Sequence, residues 1–144
     1  MLRKSKAVWN GTGKEGSGKL YSTSGVLNNT PYSFKARFES EDGKLGTNPE
    51  ELIAAAHAGC FAMALSVQLT AAGFPPKELA VEASLKLEKT GSGFKIQSIH
   101  LDLLGKVEGI SKEKFAELAE NAKKGCPVSQ ALAAIEITLS ASLA

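Results

Sequence analysis

Leu52-Ile53-Ala54-Ala55-Ala56-His57-Ala58-Gly59-Cys60-Phe61-Ala62-Met63-Ala64-Leu65-Ser66-Val67-Gln68-Leu69-Thr70-Ala71-Ala72 runs on into Gly73-Phe74-Pro75-Pro76 without a single Asp, Glu, Lys or Arg. Glu50-Glu51 precedes it, acids that suit the start of a helix, and a glycine and two prolines close it, so the stretch predicts one long helix. Its length could span a bilayer, but its alanine content and the polar His57, Ser66, Gln68 and Thr70 argue against a membrane segment. A helix that is apolar all round has to be buried on every side, and a 15.1-kDa chain with few other helices has little to surround it with. The expected cover is a second subunit, giving a homodimer. Ala55, Gly59 and Ala62 along one side would let two such helices approach closely.

Outward from this helix the pattern turns strand-like. Residues 6–10 and 19–25 are short strand candidates separated by a Gly-rich turn, and Leu27-Asn28-Asn29-Thr30-Pro31 supplies the next turn. Tyr32, Phe34, Ala36 and Phe38 then alternate with Ser33, Lys35, Arg37 and Glu39, predicting a third strand with Arg37 on the face away from the aromatics. Downstream, Val81, Ala83, Leu85 and Leu87 alternate with polar residues, Thr90-Gly91-Ser92-Gly93 turns, and Phe94 and Ile96 resume. At Gln97-Ser98 the apolar phase slips to Ile99, Leu101 and Leu103, which predicts a β-bulge or a change of face. Ser111 caps a helix with Phe115, Leu118 and Ala119 as its apolar stripe, and Gly125 reads as its C-cap. Cys126 reads as the N-cap of a short helix with Pro127 in first place. Ile135, Ile137, Leu139 and Ala141 alternate in a closing strand. The fold class is α+β, in one domain of residues 1–144.

Seventeen basic and fifteen acidic residues give a net charge of +2 without blocks of either sign, so no nucleic-acid footprint is present. Met1-Leu2-Arg3-Lys4-Ser5-Lys6 has no apolar run behind it, which argues against a secretory signal and for the cytoplasm. In that reducing compartment two cysteines are more often catalytic, sensing or merely buried than a permanent staple.

Cys60 sits mid-helix, where burial raises a thiol's pKa, so reactivity there requires a nearby positive charge or strong donor. Within the helix only His57, three residues earlier, could supply one as a Cys-His pair; the plainer reading is a packed histidine bonded to backbone or a hydroxyl. Cys126 at a helix start is the better thiolate on local grounds, or else a small buried hydrophobe. Two distant cysteines and two histidines make a poor zinc set, and no metal is expected.

Two motifs carry a family likeness. The run from Thr47, with Asn48-Pro49-Glu50-Glu51-Leu52 leading to Ala58-Gly59-Cys60-Phe61, together with Gly125-Cys126-Pro127-Val128-Ser129-Gln130, closely resembles the osmotically inducible protein C (OsmC) and organic hydroperoxide resistance (Ohr) family. The likeness extends over nearly the whole chain, including residues 32–39. The arginine in the expected third strand, rather than near the chain start, resembles the OsmC branch.

The resemblance implies an intertwined homodimer, antiparallel sheets wrapped around long central helices, acting as a thiol peroxidase on organic hydroperoxides in peroxide or osmotic stress, with no cofactor. Carried onto this sequence, Cys60 would be the attacking thiolate, passing through a sulfenic acid, and Cys126 would resolve it to a disulfide. Arg37 would stabilise the Cys60 thiolate and polarise the peroxide, and Glu50 would hold the guanidinium by a bidentate pair. The reductant would be a dithiol, with a lipoylated protein as candidate.

Ten residues separate Glu50 from Cys60, about 15 Å along a continuous helix, so either the helix breaks or Glu50 reaches Cys60 from the partner chain. Glu50 has a second reading, as the acid of a Thr47-x-x-Glu50 capping box, and Glu51 a role as favourable charge in the first turn. From pattern alone Arg37 is a solvated residue beside Lys35 and Glu39. Phe61, Met63 and Leu65 near Cys60 predict a pocket with apolar walls that prefers organic hydroperoxides to hydrogen peroxide. The rival function is a non-catalytic redox-responsive or ligand-binding dimer, which would stop after one equivalent of hydroperoxide.

Overall fold

Residues 1–144 are all described by the computed structural model, in which the chain divides into two units, Met1–Leu52 and Ile53–Ala144. In the first unit β1 (Ser5–Asn10), β2 (Ser17–Ser22) and β3 (Thr30–Ser33) form an antiparallel sheet in that order. Trp9, Gly18 and Tyr32 lie in register across it, and the two rings sit 5.3 Å apart. Gly18 makes that possible, since a Cβ there would lie 2.3 Å from the Tyr32 ring.

The predicted third strand stops early. Residues Phe34–Phe38 form a short helix, α1, because the Ser33 hydroxyl accepts from the Ala36 N–H at 3.0 Å and caps it. The period-two aromatics Phe34 and Phe38 are also four apart, and on the helix their rings meet tilted, centroids 4.7 Å apart. Arg37 therefore stands on a helix, not on a strand face.

The long helix α2 runs unbroken over Pro49–Ala71. Its cap differs from the expected box: the Asn48 carboxamide accepts from the Glu51 N–H at 2.8 Å, and the Thr47 hydroxyl donates to the Glu51 carboxylate at 2.6 Å. Asn48 is the N-cap, Pro49 takes the first position, and Glu51 is the acid that serves the cap. Glu50 is left free for another partner.

In the second unit β4 (Glu78–Thr90) and β5 (Gly93–Lys106) form a hairpin. Lys86 pairs with Ser98 and Leu87 with Ile96, so Gln97 is the extra residue of the bulge the phase slip predicts. α3 (Lys112–Gly125) and α4 (Pro127–Ala131) then lead to β6 (Glu136–Leu143), which pairs with β5 in parallel. The other ladders are antiparallel; this one is parallel because the two helices carry the chain back across the sheet.

Gly125 is the last residue of α3, without positive φ, and Cys126 is the cap. The Cys126 N–H bonds to the Ala122 carbonyl, so the helix ends without the left-handed turn for which glycine is favoured.

His57, Phe61, Leu65 and Leu69 recur every fourth residue and are the fully buried stripe of α2. The three apolar members join Ile99, Leu101 and Leu103 of β5 and Phe115, Leu118, Ala119 and Ala122 of α3 in one core. Each buried Phe, Leu or Ile among them contributes about 1.5–3 kcal/mol. The helix is long and apolar enough to cross a membrane, but this stripe is committed to the core. On other sides of α2 Met63 is 68% and Val67 65% exposed. Ala55 and Gly59 are exposed too, and Ala62 is half-buried.

Candidate active site

Cys126 ends one helix and begins the next. Its N–H closes the last bond of α3, its carbonyl accepts the first of α4 from Gln130 at 3.0 Å, and its extended backbone (φ −62°, ψ 123°) joins the two. Its side chain caps neither helix and turns instead to α2, where the Cys126 thiol donates to the Cys60 sulfur at 2.6 Å. Cys126 is fully buried, Cys60 half-buried, and both are free thiols. Their separation is less than an ångström beyond the roughly 2.05 Å of a disulfide bond.

Burial pushes the Cys60 thiol up from its ordinary pKa, and the Cys126 sulfur beside it adds to the effect. The Val128 backbone N–H, bonded to the Cys60 sulfur, pulls the other way without overcoming them. The net effect holds the Cys60 thiol above its ordinary pKa.

His57 is fully buried, and its Nε2 lies 2.7 Å from the Ser129 hydroxyl, while its Nδ1 has no partner. Of the two sequence readings, the hydroxyl-bonded histidine is the one present. Burial holds His57 below the usual imidazole pKa and keeps it neutral. Ser129 had no role from sequence. Its signal was spacing: it follows Cys126 by three residues as His57 precedes Cys60 by three.

In the first unit the Arg37 guanidinium grips Glu50 with two hydrogen bonds, Nε to Oε2 at 3.1 Å and Nη2 to Oε1 at 2.6 Å. Such a fork fixes the plane of the guanidinium as well as its position. Phe38 supports it from below, its ring centroid 4.8 Å from the Arg37 Cζ. The structure thus brings Cys60 to Cys126 and Arg37 to Glu50, the two pairs belonging to different units of the chain.

Of the three residues expected to wall a pocket near Cys60, only Met63 lies outside the core. Phe61 and Leu65 are fully buried in the core, because they share the stripe of His57, while Met63 stands exposed. No three His, Cys, Asp or Glu side chains converge to offer a metal set.

Residues 41–140 match the family described as OsmC-like protein. The chain is 50% identical over 137 residues to peroxiredoxin OsmC of Escherichia coli K12, covering 95% of this chain and 93% of that protein. It is 31% identical over 116 residues to the organic hydroperoxide resistance protein OhrB of Bacillus subtilis 168, covering 80% and 81%. The crystal structure of OhrB superposes with a TM-score of 0.70 at 28% identity, covering 96% of this chain and 98% of that one.

Proposed function

This chain belongs to the OsmC-like family, and from that premise we propose that it is a cysteine-based peroxidase that reduces organic hydroperoxides to alcohols as a homodimer. The observation that carries the reading is the sulfur–sulfur contact of Cys60 and Cys126, two residues far apart in sequence held at 2.6 Å. The Cys60 thiolate attacks the terminal peroxide oxygen, the O–O bond breaks, the alcohol takes the proton, and Cys60 is left as a sulfenic acid. The Cys126 thiol displaces the sulfenic hydroxyl as water and closes the disulfide. A dithiol, with a lipoylated protein as candidate, then reopens it, so that each cycle converts one hydroperoxide to alcohol and water.

The step that needs help is the first, because burial and the neighbouring Cys126 sulfur push the Cys60 thiol above its ordinary pKa. An opposite charge within about 4–6 Å lowers a thiol's pKa by one to three units, and Arg37 is the cation we assign to that task, with Glu50 holding it. Since α2 is unbroken, about 15 Å of its axis separates Glu50 from Cys60 of the same chain, so the Arg37–Glu50 pair serves the Cys60 of a second subunit. The uncovered apolar side of α2, with Met63 and Val67, is where that subunit packs.

Anaerobic thiol counting and intact mass after titration with tert-butyl hydroperoxide test the reading. Loss of both thiols with a two-hydrogen mass drop, a sulfenic acid trapped on Cys60 in Cys126→Ser, and many turnovers with a dithiol are expected. Thiols that survive excess hydroperoxide would refute it, and consumption that stops after one equivalent would make the protein a redox-responsive dimer instead.

A further inference from the structure

The two polar side chains buried in this fold hydrogen-bond each other: His57, 0% exposed, and Ser129, 6% exposed, meet at 2.7 Å. Each stands three residues from a thiol, His57 before Cys60 on α2 and Ser129 after Cys126. At that helical spacing His57 lies on the same flank as Cys60. α4 is therefore tied to α2 at three points: the thiol contact, the Val128 N–H on the Cys60 sulfur, and the His57–Ser129 bond.

An apolar pair of similar volume would fill this space without the cost of burying an imidazole and a hydroxyl. What a hydrogen bond adds is direction, fixing one placement of α4 against α2. His57 Nδ1 has no partner, so this bond is the only one that orients the ring. Buried orphan N–H groups are rarer than orphan acceptors, which assigns the proton to Nε2, donating to the Ser129 oxygen.

We propose that the His57–Ser129 hydrogen bond is a latch that positions α4 on α2 and so keeps Cys126 in register with Cys60 for disulfide formation. Its use in a catalytic cycle rests on the peroxidase reading above; the coupling between latch and disulfide does not. Because such coupling is reciprocal, whatever loosens the latch must make the disulfide easier to reduce.

The test is the Cys60–Cys126 equilibrium in buffers of reduced and oxidised dithiothreitol. There two electrons and two protons pass from the protein thiols to the reagent disulfide, and no peroxide takes part. Ser129→Ala should lower the equilibrium constant for the disulfide about tenfold, about 30 mV for a two-electron couple, and Ser129→Thr should restore it to within about twofold. In the same variants the rate of Cys60 oxidation by tert-butyl hydroperoxide should stay as in the parent, while resolution slows about tenfold and dimedone-trapped sulfenic acid accumulates. An unchanged equilibrium in Ser129→Ala, or a Ser129→Thr no better than Ser129→Ala, would overturn the latch. If the parent's thiols ignore hydroperoxide while the dithiothreitol shift holds, the peroxidase reading fails and the latch stands.

Discussion

Mixing two inactive variants would locate the arginine. On the proposed reading, Cys60→Ser removes the attacking sulfur and Arg37→Ala the cation that activates it. An opposite charge near a thiol is worth one to three pKa units, so losing it cuts the thiolate fraction near neutrality by about ten- to a thousandfold. Arg37→Ala homodimers should therefore retain at most about a tenth of the parent rate. α2 holds Glu50 and Cys60 of one chain about 15 Å apart along its axis, a span no hydrogen bond covers, and Glu50 grips Arg37 at 2.6 and 3.1 Å. On the proposed reading, each site of a two-fold dimer joins one chain's Cys60 to the other's Arg37. Refolded together in equal amounts, the variants give about half mixed dimers with one intact site in two, or about a quarter of the parent activity. That level stands clear of the background of either variant alone. The assay is peroxide-dependent dithiol oxidation, with native mass spectrometry to count mixed dimers. Mixed dimers present at the expected share, with activity no higher than the average of the two variant homodimers, would refute the shared site.

Three further perturbations follow from the geometry. Glu50→Gln keeps shape but loses the charge and one of two acceptors on Arg37, so kcat/KM for tert-butyl hydroperoxide should fall about ten- to a hundredfold while the pair's loss costs at most about 1 kcal/mol of stability; Glu51→Gln, altering the acid at the cap, should leave the rate within about twofold, and equal rate losses in the two would contradict the assignment. His57 has its folded pKa depressed by burial, so its contribution is fully present above the unfolded value near 6.5 and is lost as pH falls from there toward the folded value. Urea unfolding of the reduced protein near pH 5.5 should show up to about 1.4 kcal/mol lost relative to about pH 7.5 beyond any loss in His57→Asn, and parallel profiles would count against it. Met63→Lys with Val67→Lys places charge on the uncovered side of α2 and should shift sedimentation from dimer to monomer with the subunit's secondary structure intact; an undisturbed dimer would move the interface elsewhere.

The features that could be read from sequence were those carried by local periodicity. The charge-free run from Leu52 gave a long helix because nothing in it competes with one, and the phase slip at Gln97 gave the bulge because a strand's side-chain period is two. The errors fell where two local rules compete. Phe34 and Phe38 satisfy both a strand's alternation and a helix's four-residue spacing, and the Ser33 cap decides between them. Thr47-x-x-Glu50 imitates a capping box one residue out of register with the actual N-cap, Asn48. The direction of β6 has no local signature, because parallel pairing is set by the crossover through α3 and α4. At the candidate site, resemblance paired Cys60 with Cys126 and Arg37 with Glu50. The partner of His57 lies 72 residues away in sequence, and only the matching three-residue spacings from the two cysteines hinted at Ser129 before the fold joined them.

The division of the proposed site between subunits also has a chemical consequence. Both thiols and the latch beside them lie within one unit, Ile53–Ala144, so everything the disulfide needs is fixed by a single subunit's core. What that unit withholds is charge: burial and the neighbouring sulfur push the Cys60 thiol above its ordinary pKa, and one backbone N–H does not reverse them. A protonated thiol is a poor nucleophile toward peroxide and toward the disulfides of other chains. On the shared-site reading an unassembled subunit carries an inert thiol, and reactivity arrives with the partner's Arg37, at the same moment as the cover over Met63 and Val67. Assembly and activation are then one event, with the attacking thiolate formed only where the apolar side of α2 has been closed from water. Diluting the protein below its dimer dissociation constant should accordingly raise the apparent pKa of Cys60 toward iodoacetamide, by the one to three units an adjacent cation supplies. A pKa independent of concentration across dissociation would place the activating charge within the subunit.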